Sequence, residues 1–170
     1  MGFIQNLFGF SNTKSEYYLS ENVLDELLVA SENALPTEFL ALLGAEHSSD
    51  LTITNKQCNN AQIITVYYII PETKLKDDSA TLKPNNIPLS ENIIGSFHSH
   101  PNGYLKPSEA DSDMFQKYPV NIIAGPPFTE NSWKCFDNTG KPISLKTVSI
   151  SDESLSEEWK QEIEKYSEMY

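Results

Sequence analysis

The stretch that most constrains this chain is residues 95–111, which read Gly-Ser-Phe-His-Ser-His-Pro-Asn-Gly-Tyr-Leu-Lys-Pro-Ser-Glu-Ala-Asp. Two of the three histidines in the protein, His98 and His100, lie here one residue apart. On a strand, positions i and i+2 share a face. Ile93 and Ile94 lead into the pair as a buried strand, and Pro101 ends it. Both imidazoles are therefore expected to project together from a strand end. Asn102 and Gly103 form a turn, and the run from Pro107 to Asp111 reads as a helix start. That start brings the Asp111 carboxylate back towards the imidazoles. Two neutral nitrogens, one carboxylate and an open fourth position make a catalytic zinc site.

A second reading of the same residues needs no metal. Ser108-x-x-Asp111 is also a capping box, which is local helix chemistry. The two readings separate when the segments are taken together. His98-x-His100-Pro101 is followed by Ser108-x-x-Asp111. Upstream, Glu38 sits in Pro36-Thr37-Glu38-Phe39-Leu40-Ala41-Leu42-Leu43-Gly44. This combination resembles the signature of the JAMM (MPN+, JAB-type) zinc metalloproteases, which cleave conjugates of ubiquitin and ubiquitin-like proteins. The resemblance runs from about Leu19 to about Thr147. It implies that one zinc ion is held by His98, His100 and Asp111, and that Glu38 is the catalytic glutamate. One position departs from the pattern: the family often has Gly three residues after this Glu, and here Ala41 stands there.

The resemblance also implies a reaction. Zinc held by three side chains keeps one position for water and lowers its pKa to about 7. Glu38 is then the expected general base and acid. The Ser108 hydroxyl is free to donate a hydrogen bond to the oxyanion that develops on the substrate. The bond cleaved would be an amide, between a C-terminal Gly-Gly tail and a lysine. The compact form, with few residues after Asp111, is closest to archaeal and bacterial members. Expected partners are therefore ubiquitin-like conjugates or sulfur-carrier-like proteins with the same tail. Three other readings stand beside this one: a RadC-like DNA-repair-associated protein, a non-catalytic MPN scaffold, and a zinc hydrolase of small molecules. A homodimer is left open.

Charge bears on the choice. The formal net charge is −12, from 12 basic and 24 acidic side chains. Such a balance repels phosphate backbones, so nucleic acid is not expected as a partner. The two cysteines, Cys58 and Cys135, are too few for a disulfide framework. They read as free thiols in a reducing cytoplasm. No apolar run reaches the length of a membrane span. The apolar start, residues 1–10, is too short and uncharged for a secretory signal. Asn6 also breaks the myristoylation pattern.

Along the chain, residues 1–18 read as an N-terminal arm, residues 19–150 as one catalytic domain, and residues 151–170 as an amphipathic helix packed on it. Ser20 is the expected N-cap of a helix with Leu24, Leu27, Leu28, Ser31 and Leu35 at helical spacing, stopped by Pro36. Phe39 to Leu43 reads as a buried strand ended by Gly44, with Glu46 and His47 in a turn beyond it. Glu46 is the alternative to Glu38. Leu51–Thr54 and Ala61–Ile70 read as strands, and Pro71–Ser90 as a long loop. A helix is expected from Ser108 to about Tyr118, with Met114 and Phe115 on its buried side. Strands are expected at Val120–Ala124 and Ser132–Phe136, and a hairpin return at Ile143–Ile150. Trp133 and Phe136 are expected in the core. The order is α+β. It fits a single MPN (JAB) domain, a curved mixed β-sheet flanked by helices.

Overall fold

A computed structural model describes residues 16–54, 58, 60–70 and 92–151. Eight strands form one mixed sheet in the order β7-β6-β5-β4-β2-β3-β1-β8. They are β1 (Glu16–Ser20), β2 (Leu40–His47), β3 (Ala61–Ile69), β4 (Ile93–Ser99), β5 (Val120–Ala124), β6 (Trp133–Phe136), β7 (Pro142–Ile143) and β8 (Lys146–Val148). The helices are α1 (Glu21–Asn33) and α2 (Glu109–Phe115). This is the expected α+β architecture, a curled sheet carrying two helices.

The two faces of the sheet are covered differently. Helix α1 buries Val23, Leu24, Leu27 and Leu28, a stripe at helical spacing. These side chains meet Leu43, Ile64, Phe97, Ile122 and Ala124 from the strands in the largest apolar cluster. Alternation along β4 and β5 then turns Ser96, His98, Asn121 and Ile123 to the opposite face. There, Ile123 packs with Phe115 of α2 and with Phe136, and the partly buried Leu105 and Met114 close over them. The pairings Leu40↔His98 and His98↔Ile123 set His98 between β2 and β5. The histidine-bearing strand is thus flanked on both sides.

Several expectations are corrected. Glu16–Ser20 is a sheet strand, parallel to both β3 and β8, so an arm ending at residue 18 is too long. Residues 1–15 lie outside the described residues. Ser20 is the N-cap of α1 but makes no side-chain cap bond. Its backbone is already paired with Val148 as the last residue of β1, and it is buried. Gly44 does not end β2. The strand passes through it with an irregularity at Gly44/Ala45, and an added Cβ there would lie 2.6 Å from Val66 Cγ1. Glu46 and His47 are therefore strand residues. Leu51–Thr54 contributes one bridge, Ile53↔Ile150, rather than a strand. The Ile143–Ile150 segment divides. Pro142–Ile143 pairs with β6, whereas Lys146–Val148 crosses to the other edge of the sheet beside β1. Pro142 has no N–H to extend the hairpin, which suits a two-residue edge strand. Phe136 is buried and Trp133 only partly so. The loop expected at Pro71–Ser90 lies outside the described residues, and so does the helix expected at 151–170 from residue 152 onwards.

Candidate metal centre

The strand β4 delivers His98 as its next-to-last residue and His100 just past its end. The Asn102-Gly103 turn then reverses the chain. Tyr104 N donates to Asn102 Oδ1 at 2.8 Å, and Gly103 N donates to the His100 carbonyl at 2.9 Å. Gly103 has φ +74°, which Gly adopts without strain. The turn packs against the end of β5, where an added Cβ on Gly125 would lie 2.9 Å from the Gly103 Cα. This fold of the loop places the Tyr104 carbonyl 2.7 Å from His100 Nδ1. A carbonyl can only accept, so Nδ1 carries a proton, and Nε2 presents a lone pair whenever the ring is neutral.

Asp111 arrives through its helix cap. The Ser108 side chain accepts from the Asp111 amide and the Asp111 side chain accepts from the Ser108 amide, a complete capping box. Of its carboxylate oxygens, Oδ1 lies 2.8 Å from His98 Nδ1 and Oδ2 lies 3.4 Å from His100 Nε2. All three side chains are buried, and their ligand-capable atoms lie within 4.8 Å of one another. The capping box is thus formed, and it shares Asp111 with a group that could hold a metal ion.

The electrostatics follow from this crowding. Burial pushes the Asp111 carboxyl up, but hydrogen bonds from His100, His98 and Ser108 outweigh it and hold it well below the usual carboxylate range. The hydrogen bond to Asp111 raises the His100 pKa, against burial, which lowers it; the Tyr104 carbonyl and the charges of Asp111 and Glu38 add smaller upward pushes. His98 Nε2 is buried and has no hydrogen-bond partner. When Nδ1 donates to Asp111, Nε2 is a lone pair without a donor, and a buried polar atom left so is costly. A cation is the complement such a donor set lacks. Two imidazoles and one carboxylate, with the His100 tautomer fixed by a carbonyl, fit a zinc-type site.

Glu38 is exposed, and its charge acts on His100. Leu40 pairs with His98 and the Ser99 amide donates to the Phe39 carbonyl, so Glu38 lies at the His100 end of β4. Glu46, the alternative, is bound by the Thr65 hydroxyl at 2.7 Å. It stands six residues beyond Leu40, roughly 20 Å along the strand, and so cannot serve the same site. His47 is held by Ser49 and Asn60, outside the metal-capable group. Cys135 is buried and its thiol is pushed up to about 12 by burial, the opposite of an activated nucleophile. Two supporting groups had no sequence signal of their own: the Tyr104 carbonyl, a backbone atom, and Ser99, whose hydroxyl accepts from the Phe39 amide at 2.7 Å.

A curved mixed sheet that presents a His-x-His pair at a strand end, opposite an Asp from a helix cap, defines a JAMM-type, metalloprotease-like domain. Residues 20–136 match the prokaryotic homologs of the JAB domain, and the chain belongs to that family. It is 33% identical over 139 residues to a probable metalloprotease of Haloferax volcanii, an alignment covering 82% of each protein. Among solved structures it resembles a JAB1/MPN domain protein from Archaeoglobus fulgidus at 26% identity, with a TM-score of 0.57, over 78% of this chain and 99% of that one. It also resembles a structure described as a JAMM metalloprotease-like zinc site in the proteasome and signalosome. There the identity is 25% and the TM-score 0.55, over 79% of this chain and 100% of that one. Among the described residues, no helix is long and apolar enough to cross a membrane.

Proposed function

We propose that this protein is a zinc-dependent isopeptidase that hydrolyses the amide bond after the Gly-Gly tail of ubiquitin-like conjugates. The observation that carries this reading is the buried His98–His100–Asp111 set with the Glu38 carboxylate close enough to influence His100. Bound zinc, one ion per chain, would supply a water acidified to about pKa 7 and a Lewis acid for the scissile carbonyl. His98 and His100 would hold the ion as neutral ligands, and Asp111 as a carboxylate. Glu38 stands outside that set and would take the proton of the attacking water and return it to the leaving lysine amine. Ser108 would donate its hydroxyl proton to the developing oxyanion while still accepting from the Asp111 amide, since a hydroxyl can do both. No acyl-enzyme is required, which agrees with the buried, high-pKa state of Cys135. The intact donor set favours this reading over a scaffold. A net charge of −12 favours a basic protein partner over nucleic acid.

The test is cleavage of an isopeptide conjugate whose tail ends in Gly-Gly, beside the same conjugate with the terminal Gly changed to Val. Cleavage of the first and resistance of the second support the reading. Equal cleavage of both points to a less selective peptidase, and cleavage of neither removes the isopeptidase assignment.

A further inference from the structure

The Phe39/Ser99 pair breaks the ladder between β2 and β4 beside the metal centre. Opposed residues in a hydrogen-bonded antiparallel pair exchange both N–H···O=C bonds. Here only one is made: Ser99 N donates to the Phe39 carbonyl at 2.9 Å. The Phe39 amide instead donates to Ser99 Oγ at 2.7 Å. Ser99 is fully buried, and its other edge is fixed by the pairing Ser99↔Ala124 with β5. Phe39 is held in turn by an edge-to-face contact with Phe97, ring centroids 6.1 Å apart. The last residue of this anchored unit before the exposed loop is Glu38.

We infer that Ser99 is the positioning residue for Glu38. Its hydroxyl, interposed where a backbone carbonyl would otherwise accept, sets how far the Glu38 segment stands off from the His100 end of β4. A direct ladder at this point would zip the two segments together and bring residues 38 and 100 to the spacing of cross-strand partners, about 4.5–5.5 Å between Cβ atoms. At that spacing the carboxylate competes for a place among the metal ligands. The hydroxyl link spaces it outward, and the link is rigid because Ser99 is fully buried and Phe39 packs, partly buried, against the α1-side core. Ser99 points to that core while His98 and His100 point to the other face, so the same three-residue stretch holds the ligands with alternate residues and the base with the residue between them. Sequence adjacency to the ligands hides this role, because nothing in the sequence pairs Ser99 with Phe39 across 60 residues.

The inference rests on the proposed role of Glu38, so one measurement is chosen that does not require turnover. In Co²⁺-loaded protein, paramagnetic relaxation of the Glu38 side-chain resonances reads the separation of Glu38 from the metal. Ser99→Ala should change that relaxation and abolish the slow hydrogen exchange of the Phe39 amide, with metal content unchanged. Ser99→Thr, which keeps the acceptor oxygen, should match the parent. On a Gly-Gly isopeptide substrate, Ser99→Ala should lower kcat by up to about 10²-fold, the loss expected for a reacting group misplaced by about 1 Å, with KM little changed. In a Glu38→Gln background, Ser99→Ala should add nothing further. Unchanged Glu38 relaxation in Ser99→Ala would overturn the inference, as would a full additional loss in the Glu38→Gln background. If the parent cleaves no isopeptide, the isopeptidase reading fails and the Co²⁺ relaxation alone decides the position of Glu38.

Discussion

Ser108 and Asp111 hold each other twice: the Ser108 amide donates to Asp111 Oδ2 at 2.6 Å, and Ser108 Oγ accepts from the Asp111 amide at 3.2 Å. The backbone half of this exchange orients the carboxylate towards His98 and His100. The side-chain half leaves the hydroxyl proton available to substrate.

Ser108→Ala therefore removes the cap acceptor but keeps the amide that orients Asp111. The expected stability loss is about 1 kcal/mol, or about 2–4 °C in melting temperature for a domain this size. Zinc should remain bound. Turnover should fall by about 10²–10³-fold with substrate affinity little changed, as for loss of an oxyanion donor. Calorimetry, metal analysis and kcat/KM on one preparation separate the effects. Zinc and activity lost in proportion would show that Ser108 serves only to place the ligand.

His98 and Glu38 should separate in the opposite way. His98→Ala removes a buried donor of the metal set and should lose zinc together with activity. Glu38→Gln keeps the size and removes the base, so zinc should stay while turnover falls on the order of 10²–10⁴-fold. Metal analysis of both variants, purified without added zinc, checks the pair. Near-normal turnover by Glu38→Gln would leave the site without its assigned base.

What the sequence revealed and what it concealed divide by the range of the interactions. The site was legible because its parts are local. His-x-His fixes a common face by strand alternation, and Ser108-x-x-Asp111 fixes a carboxylate by one turn of helix. The strand Val120–Ala124 was legible from its apolar run and its Gly-Pro-Pro terminus. Strand β1 was not, because Tyr17-Tyr18-Leu19 carries no alternation and pairs with β3 and β8, far along the chain. Gly44 misled for a related reason. In sequence a Gly after an apolar run reads as a stop, whereas here it admits the Val66 side chain where a Cβ would clash. The β7–β8 division likewise depends on which edge of the sheet is open, and no local pattern reports that.

The buried thiol makes a prediction about pH. Burial raises the Cys135 pKa from 9.0 to about 12. Burial likewise raises Tyr67 from 10.0 to about 12, with Glu26 adding to it. A group whose folded pKa is raised contributes its full stability below the unfolded pKa and loses it as pH climbs towards the folded value. Unfolding should therefore become easier from about pH 9 upwards, towards 12. Cys135→Ala should lessen that slope without abolishing it, because Tyr67 titrates over part of the same range. At pH 8 the native thiol should resist iodoacetamide and react on unfolding. Rapid native alkylation of Cys135, read by mass spectrometry, would contradict the burial argument.

The last prediction concerns the polar pair beneath α2. Asn121 is fully buried in β5, and its Oδ1 accepts from the Ser96 hydroxyl at 2.7 Å. Its Nδ2 donates to the Tyr118 carbonyl at 2.8 Å and makes longer contacts to the carbonyls of Phe115 and Asp137. One amide thus ties the end of α2 to two strands, and α2 carries Asp111. Asn121→Leu keeps the branched outline, with some added bulk, but leaves the Ser96 hydroxyl and the Tyr118 carbonyl without their Asn121 partner. Orphaning the buried Ser96 hydroxyl costs about 1–3 kcal/mol and the partly buried Tyr118 carbonyl adds less, so the total should reach about 2–4 kcal/mol by denaturant unfolding. Removing the stranded hydroxyl as well should recover part of it, because replacing both partners of a buried hydrogen bond is far cheaper than replacing one. Ser96→Ala combined with Asn121→Leu should accordingly be more stable than Asn121→Leu alone. Both variants should release zinc to a chelator more readily than the parent, since the carbonyls at the end of α2 have lost their tie. If the double variant is less stable than the single one, Ser96 and Asn121 do not act as a pair, and the helix end is held by packing of Phe115 alone.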